Sequence, residues 1–232
     1  FLDMLKLRAS YGEIGNDVIG DEWDTTRRWL YMDQWETGGN IATGLYNVAS
    51  PYTFYRQKTV GNTDIHWEVV RKFNFGIDGL FAGNIEIFRD KRSDILISGS
   101  DRAMPSYFGG IVSAPWVNMG KVKNRGYELE LRINKTLRNS LHLWANMNMT
   151  HAVNEIIEAD DPELLPDYQK DAGKSIGQTH TYVDHGYTQT MDDIYGSTAF
   201  ESNDDQKLPG TYYILDYNGD GVINSYDQIP YG

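Results

Sequence analysis

The sequence predicts an all-β protein: an antiparallel transmembrane β-barrel segment with long extracellular loops. Three observations carry that expectation. Apolar residues recur at every second position through several runs, the period of a β-strand. The runs reach about ten residues, against roughly five to six in the strands of soluble sheets. Short turns alternate with long polar stretches between the runs, which is the loop asymmetry of outer-membrane barrels.

The elements follow in order. The chain opens at FLDMLKLRAS, already inside a strand pattern: Leu5, Leu7, Ala9 and Tyr11 share one face, and Lys6, Arg8 and Ser10 the other. With no initiator Met and no polar lead-in, the expectation is a piece of a longer protein. A long aromatic stretch covers 12–62. In RKFNFGIDGLF, Phe73, Phe75, Ile77 and Phe81 alternate with Lys72, Asn74, Gly76 and Asp78. An Ala82-Gly83-Asn84 turn then leads into Ile85, Ile87 and the return strand through RDKRSDILI, making a hairpin. A second long stretch covers 98–118. Tyr127, Leu129, Leu131 and Ile133 then alternate with Glu128, Glu130, Arg132 and Asn134. After a polar link, Thr136–Ser140, the face Leu141, Leu143, Ala145, Met147 and Met149 alternates with His142, Asn146, Asn148 and Thr150, closing another hairpin. A third long stretch covers 152–175.

Periodicity alone leaves two architectures open. In a barrel Leu129, Leu131, Leu143 and Met147 face lipid; in a soluble sandwich they face a dry core. Composition narrows the function instead. The 232 residues carry 33 acidic and 21 basic side chains, a formal net charge of −12, which repels phosphate backbones and argues against nucleic acid. There is no cysteine, so disulfides, thiolate metal sites and cysteine nucleophiles are excluded. No apolar run is long enough for a transmembrane helix, which leaves strands untouched.

The stretch DYNGDGVINSYD, residues 216–227, has the spacing of a calcium loop. Asp216, Asn218 and Asp220 stand at alternate positions, Gly221 allows the sharp turn, Val222 offers its carbonyl, and Asp227 closes the span. Against calcium, the closing residue is Asp where a bidentate Glu is usual, and no helices flank the loop. The competing reading is a metal-free turn rich in Asn-Gly and Asp-Gly. The odd separation of His180 and His185 puts them on opposite faces of a strand, so a shared metal is not expected. No Gly-x-Ser-x-Gly elbow, phosphate loop or His-Glu-x-x-His is present. Carboxylates such as Asp160, Asp161 and Glu163 fall in acidic, loop-like runs of the solvated kind. An enzyme is therefore not expected. Trp23, Trp29, Tyr31, Trp35, Tyr46, Tyr52, Phe54 and Tyr55 crowd the 12–62 stretch. Loop packing or an interfacial girdle accounts for most of them; sugar stacking is the alternative.

Several stretches resemble SusC/RagA-type TonB-dependent outer-membrane transporters, in that family's order. They are LKLRASYGEIGND (5–17), GNTDIHWEVVRKFNFGIDGLF (61–81), KRSDILI (91–97), NMGKVKNRGYELEL (118–131) and LPGTYYILDYNGDGVINSYDQIPYG (208–232). Thr63 departs from the family's usual Pro, a difference that touches a turn. The resemblance implies that residues 1–232 are part of a TonB-dependent receptor β-barrel domain, with the plug and terminal strands absent. It implies a place in the cell outer membrane, in contact with outer-membrane lipid. The implied function is TonB-dependent import of oligosaccharides or peptides with a SusD-like surface lipoprotein, TonB acting through the missing N-terminal region. The rival is a soluble, calcium-stabilised, carbohydrate-binding β-sandwich.

Overall fold

The computed structural model describes residues 4–18, 28–41, 52–79, 83–99, 101–104, 114–137 and 141–231. The chain divides into two compact units, Phe1–Pro162 and Glu163–Gly232.

The first unit contains β1 (Leu5–Asn16), β2 (Gln34–Asn40), β3 (Thr53–Thr59), β4 (Glu68–Gly79), β5 (Gly83–Ile97), β6 (Val117–Thr136) and β7 (His142–Glu158). Five of these strands form one antiparallel sheet in the order β1-β4-β5-β6-β7, and β2 pairs with β3 as a separate ribbon. Both expected hairpins are present. Gly79 stands opposite Gly83, and Thr136 opposite His142. Phe81 and Ala82 of the first turn, and residues 138–140 of the second, lie outside the described residues.

The register aligns the apolar positions into rows across the whole sheet. One row reads Leu7, Ile77, Ile85, Leu129 and Met149; the next reads Ala9, Phe75, Ile87, Tyr127 and His151. On β7 this belt runs from Leu143 to Val153, ten residue steps along the strand. At about 3.4 Å per step and a barrel tilt of about 40°, that climbs roughly 25 Å, the height of a bilayer's apolar band. No described residue covers it: Leu7 is 62% exposed, Leu143 46% and Met147 48%. Among the described residues only Leu30, Ala114 and Ile223 are buried apolar side chains. A sandwich would have buried this face against a second sheet, so the soluble alternative does not hold.

The opposite face is polar. Arg8 lies across the buried Gly76, its Nε 2.9 Å from Asp78 and its Nη2 3.3 Å from Glu86. Lys72 and Asp90 approach to 4.0 Å farther along.

The strands outrun the stretches expected to be loops. β1 continues to Asn16, β6 begins at Val117 and β7 runs to Glu158, while β2 and β3 occupy part of 12–62. The cause is an inversion of the alternation. Beyond Tyr11 the apolar side chains move to the other face, where Ile14, Val70, Val122 and Ile156 fall in cross-strand register apart from the intervening Arg92. A single-face period therefore ends while the ladder continues.

Amide side chains tie the far ends of the strands to their loops. Asn118 Nδ2 donates to the carbonyls of His66 (2.8 Å) and Asp94 (2.7 Å), and its Oδ1 accepts from His66 N. Asn62 Nδ2 donates to the carbonyl of Trp116 at 2.7 Å. Asp94 holds φ 62° beside a register shift of β5, a bulge that turns its carbonyl toward Asn118.

In the second unit β8 (Thr179–Thr181) pairs with β13 (Ile229–Tyr231), and β9 (Asp184–Tyr187) with β11 (Tyr212–Ile214), both antiparallel. Between them β10 (Ala199–Phe200) pairs in parallel with β12 (Val222–Ile223). A short helix, α1 (Met191–Gly196), starts at a capping box in which Thr190 accepts from Asp193 N and Asp193 accepts from Thr190 N.

Glycine is required at the first hairpin. Gly83 holds φ 109°, and a Cβ there would stand 1.7 Å from the Glu130 carbonyl oxygen. Gly83→Ala should cost about 2–3 kcal/mol, whereas Gly12→Ala, with nothing within 4 Å, should be nearly neutral. The temperature at which the folded band of the full-length protein is lost on unboiled gels checks both.

Candidate functional site

The 216–227 loop is built from carboxylates that accept backbone N–H groups. Asp216 Oδ1 accepts from Gly219 N at 2.7 Å and its Oδ2 from Gly221 N at 2.8 Å. Asn218 Oδ1 accepts from Asp220 N, and Asp220 Oδ1 from Val222 N. Gly219 and Gly221 sit at φ 75° and 87°, the left-handed backbone that such tight successive turns need.

Asp227 differs from the others. It is fully buried, with Oδ1 accepting from Tyr217 N (2.8 Å) and Asn218 N (3.3 Å) and Oδ2 from Asn224 N (2.8 Å). It thus joins both ends of the loop through their amides. Asn218 and Asp220 are exposed, and Asp216 is half-buried. Among the described residues no three His, Asp or Glu side chains converge to hold a metal ion.

The loop rests on the 166–174 turn. Tyr168 Oη donates to the Tyr226 carbonyl at 2.7 Å, and Gln169 Nε2 donates to the Ser225 carbonyl at 2.7 Å. The Tyr168 ring stands edge-on to Tyr217 with centroids 4.9 Å apart. Burial, with the negative charge of Asp227 nearby, pushes the Tyr168 hydroxyl above the ordinary phenol value, so it stays a donor at physiological pH.

Beside the loop lies a cavity of about 350 Å³, lined by Tyr182, Phe200, Ile214 and Ile223 with Glu201 and Asn224 at its polar side. Its walls come from separate strands of the second unit, and no sequence motif marked it. The β10–β12 pairing is what assembles it.

The remaining candidates occupy separate places. Asp160 accepts from Arg102 Nε at 2.7 Å and from Ala103 N at 3.0 Å, a structural clamp across two loops. His180 sits on β8, its Nε2 3.3 Å from Lys174 Nζ, and His185 sits on β9 near Tyr213. Trp29 and Tyr31 stand 6.0 Å apart, while Trp35, Tyr52 and Tyr55 are exposed. Trp23 and Tyr46 lie outside the described residues.

Two measurements follow from this geometry. Asp227→Ala takes the shared buried acceptor from three part-buried amides, which should cost on the order of 3 kcal/mol. Hydrogen exchange at residues 217, 218 and 224 should accelerate about a hundredfold, with little change in Asp220→Ala. Asp193 is held below its ordinary 3.8 by the amides of Thr190 and Gln189. Its contribution is therefore present above about pH 4 and lost as pH falls through the lower folded value. Amide protection at Gln189 and Thr190 should fade on that acid limb, and Asp193→Asn should remove the pH dependence.

The chain is similar to known proteins in sequence and in fold. TonB-dependent receptor P39 of Formosa agariphila is 29% identical, over 95% of this chain and 20% of that protein. TonB-dependent receptor P3 of the same organism is 24% identical, over 96% of this chain and 22% of its own length. The chain thus spans about a fifth of the curated relatives it matches. Solved structures of the RagAB peptide transporter and of the RagAB peptide importer in its open-open state superpose with TM-scores of 0.60 and 0.58. They are 19% and 18% identical, each covering 99% of this chain and 23% of the other, and establish likeness of fold. The profile of the family described as TonB dependent receptor-like, beta-barrel matches residues 1–230, and with its exposed apolar belt on an antiparallel sheet the chain belongs to that outer-membrane family.

Proposed function

We propose that this chain forms wall and extracellular loops of a TonB-dependent importer of oligosaccharides or peptides. The observation that carries the reading is the uncovered apolar belt backed by a charged face on one continuous ladder. Hydrocarbon tolerates such a sheet only when every backbone group is paired, so the outer edges of β1 and β7, unpaired among the described residues, would take further barrel strands. Residues 1–232 are then one part of a barrel domain. The polar face bearing Arg8, Asp78 and Glu86 would line the transport lumen. Import would be energised by TonB through a region outside this chain, and a SusD-like surface lipoprotein would cover the loops. The receptor family and the RagAB peptide transporter, at 19% identity, support import and a lipoprotein partner by analogy.

For the 216–227 loop the proposal is a weak calcium site held by Asp216, Asn218, Asp220 and the Val222 carbonyl. Each of the three side chains keeps lone pairs beyond those used by the amides, and Asp227 would set the frame rather than ligate.

Two tests apply. Outer membranes washed with carbonate and urea should retain the full-length protein as a heat-modifiable band; release by the wash would sink the importer reading. Calcium titration of the same protein should show heat that Asp216→Asn/Asp220→Asn removes; silence up to millimolar calcium would dismiss the site.

A further inference from the structure

The outward face of the sheet ends in cations. At the top of the belt, Arg89 of β5 stands directly opposite Arg125 of β6. One step higher on the same face, the row reads Glu13, Arg71, Lys91, Lys123 and Glu155 from β1 to β7. Arg71 pairs with Glu13 at 3.2 Å and Lys123 with Glu155 at 2.6 Å, toward the two sides of the sheet. Arg89, Lys91 and Arg125, in the middle, are exposed and make no ion pair with any described residue.

Such a patch works against the bare sheet. Like charges directly opposite on neighbouring strands repel, and here they repeat at Arg89–Arg125, Arg71–Lys91 and Lys91–Lys123. An external anion offsets that repulsion. Guanidinium forks are matched to phosphate oxygens, which they can hold through paired N–H bonds. The patch adjoins the apolar belt without a break, so one molecule could meet both: phosphate on the cations, acyl chains along Tyr127, Ile87 and Leu129.

We propose that Arg89, Lys91 and Arg125 bind the phosphate groups of an anionic lipid in the outer leaflet. The leaflet rests on the barrel reading given above: the patch lies at the sheet end away from the closely spaced Gly79–Gly83 and Thr136–His142 pairs, the long-loop side, which faces outward in such barrels. A lipid is the occupant, not free phosphate, because only a lipid gains from the belt directly beneath.

The test uses full-length protein purified from outer membranes in zwitterionic detergent, first shown to be heat-modifiable. It is mixed with bis-phosphorylated lipid A or with the same lipid dephosphorylated, and bound lipid is counted by native mass spectrometry. Wild type should retain the phosphorylated lipid about tenfold better, the scale of a single charge-assisted bond at an exposed site. Arg89→Gln/Lys91→Gln/Arg125→Gln should erase the preference while keeping heat-modifiability, and equimolar inorganic phosphate should displace nothing. Equal retention of the two lipids by wild type, or displacement by inorganic phosphate, overturns the lipid site and leaves the barrel intact. Loss of heat-modifiability in wild type itself overturns the barrel reading and the lipid site together.

Discussion

Hydrocarbon offers no partner to a backbone N–H or C=O, and the sheet of the first unit is organised around that constraint. The five strands keep an antiparallel ladder over their full lengths, with register shifts only toward the long-loop end of β5 and at Lys121 on β6. With the backbone paired from strand to strand, the side chains are free to sort by face. Lipid takes the place a protein core would have, which is why Leu7, Leu143 and Met147 are exposed while the sheet remains regular.

The two faces then solve different problems. On the inner face Arg8 is neutralised by Asp78 and Glu86 and lies on Gly76, where a Cβ would stand 3.1 Å from its Nη2. On the outer face the belt gives way to cations and the apolar residues cross to the inside. That inversion is what a strand leaving hydrocarbon for a watery loop layer requires. There the stabilising agents change: Asn118 and Asn62 carry hydrogen bonds from loop to strand, and Arg102 clamps Asp160.

The second unit has little apolar core, with Ile223 buried and most of its aromatics exposed. Its order comes from short-range polar chemistry. Carboxylates and amides accept N–H groups that no long strand could pair, at Asp193, Asp204, Asp216 and Asp227. Asp204 is held below its ordinary value by Lys207 and the Phe200 amide, as Asp193 is by its cap. The acidity of the sequence in this region is thus partly a backbone-satisfying device.

By itself the sequence determined the strands of the sheet, the two hairpins and the lipid-compatible face, because period-2 alternation is written residue by residue. It also contained the 216–227 loop, since Asp, Asn and Gly at those spacings select their own turns. Register was decided only in the tertiary structure. Alternation says that Arg89, Lys91 and Arg125 point outward, but not that β5 and β6 set Arg89 against Arg125 and Lys91 against Lys123. The extension of β6 and β7 beyond the apolar run was likewise hidden, because their pattern inverts where the ladder does not. Asp227 shows the same division: its spacing suggested a ligand, and only the folded loop revealed a buried carboxylate joining three amides. Local chemistry is legible along one chain, whereas what two strands do to each other depends on how they are aligned.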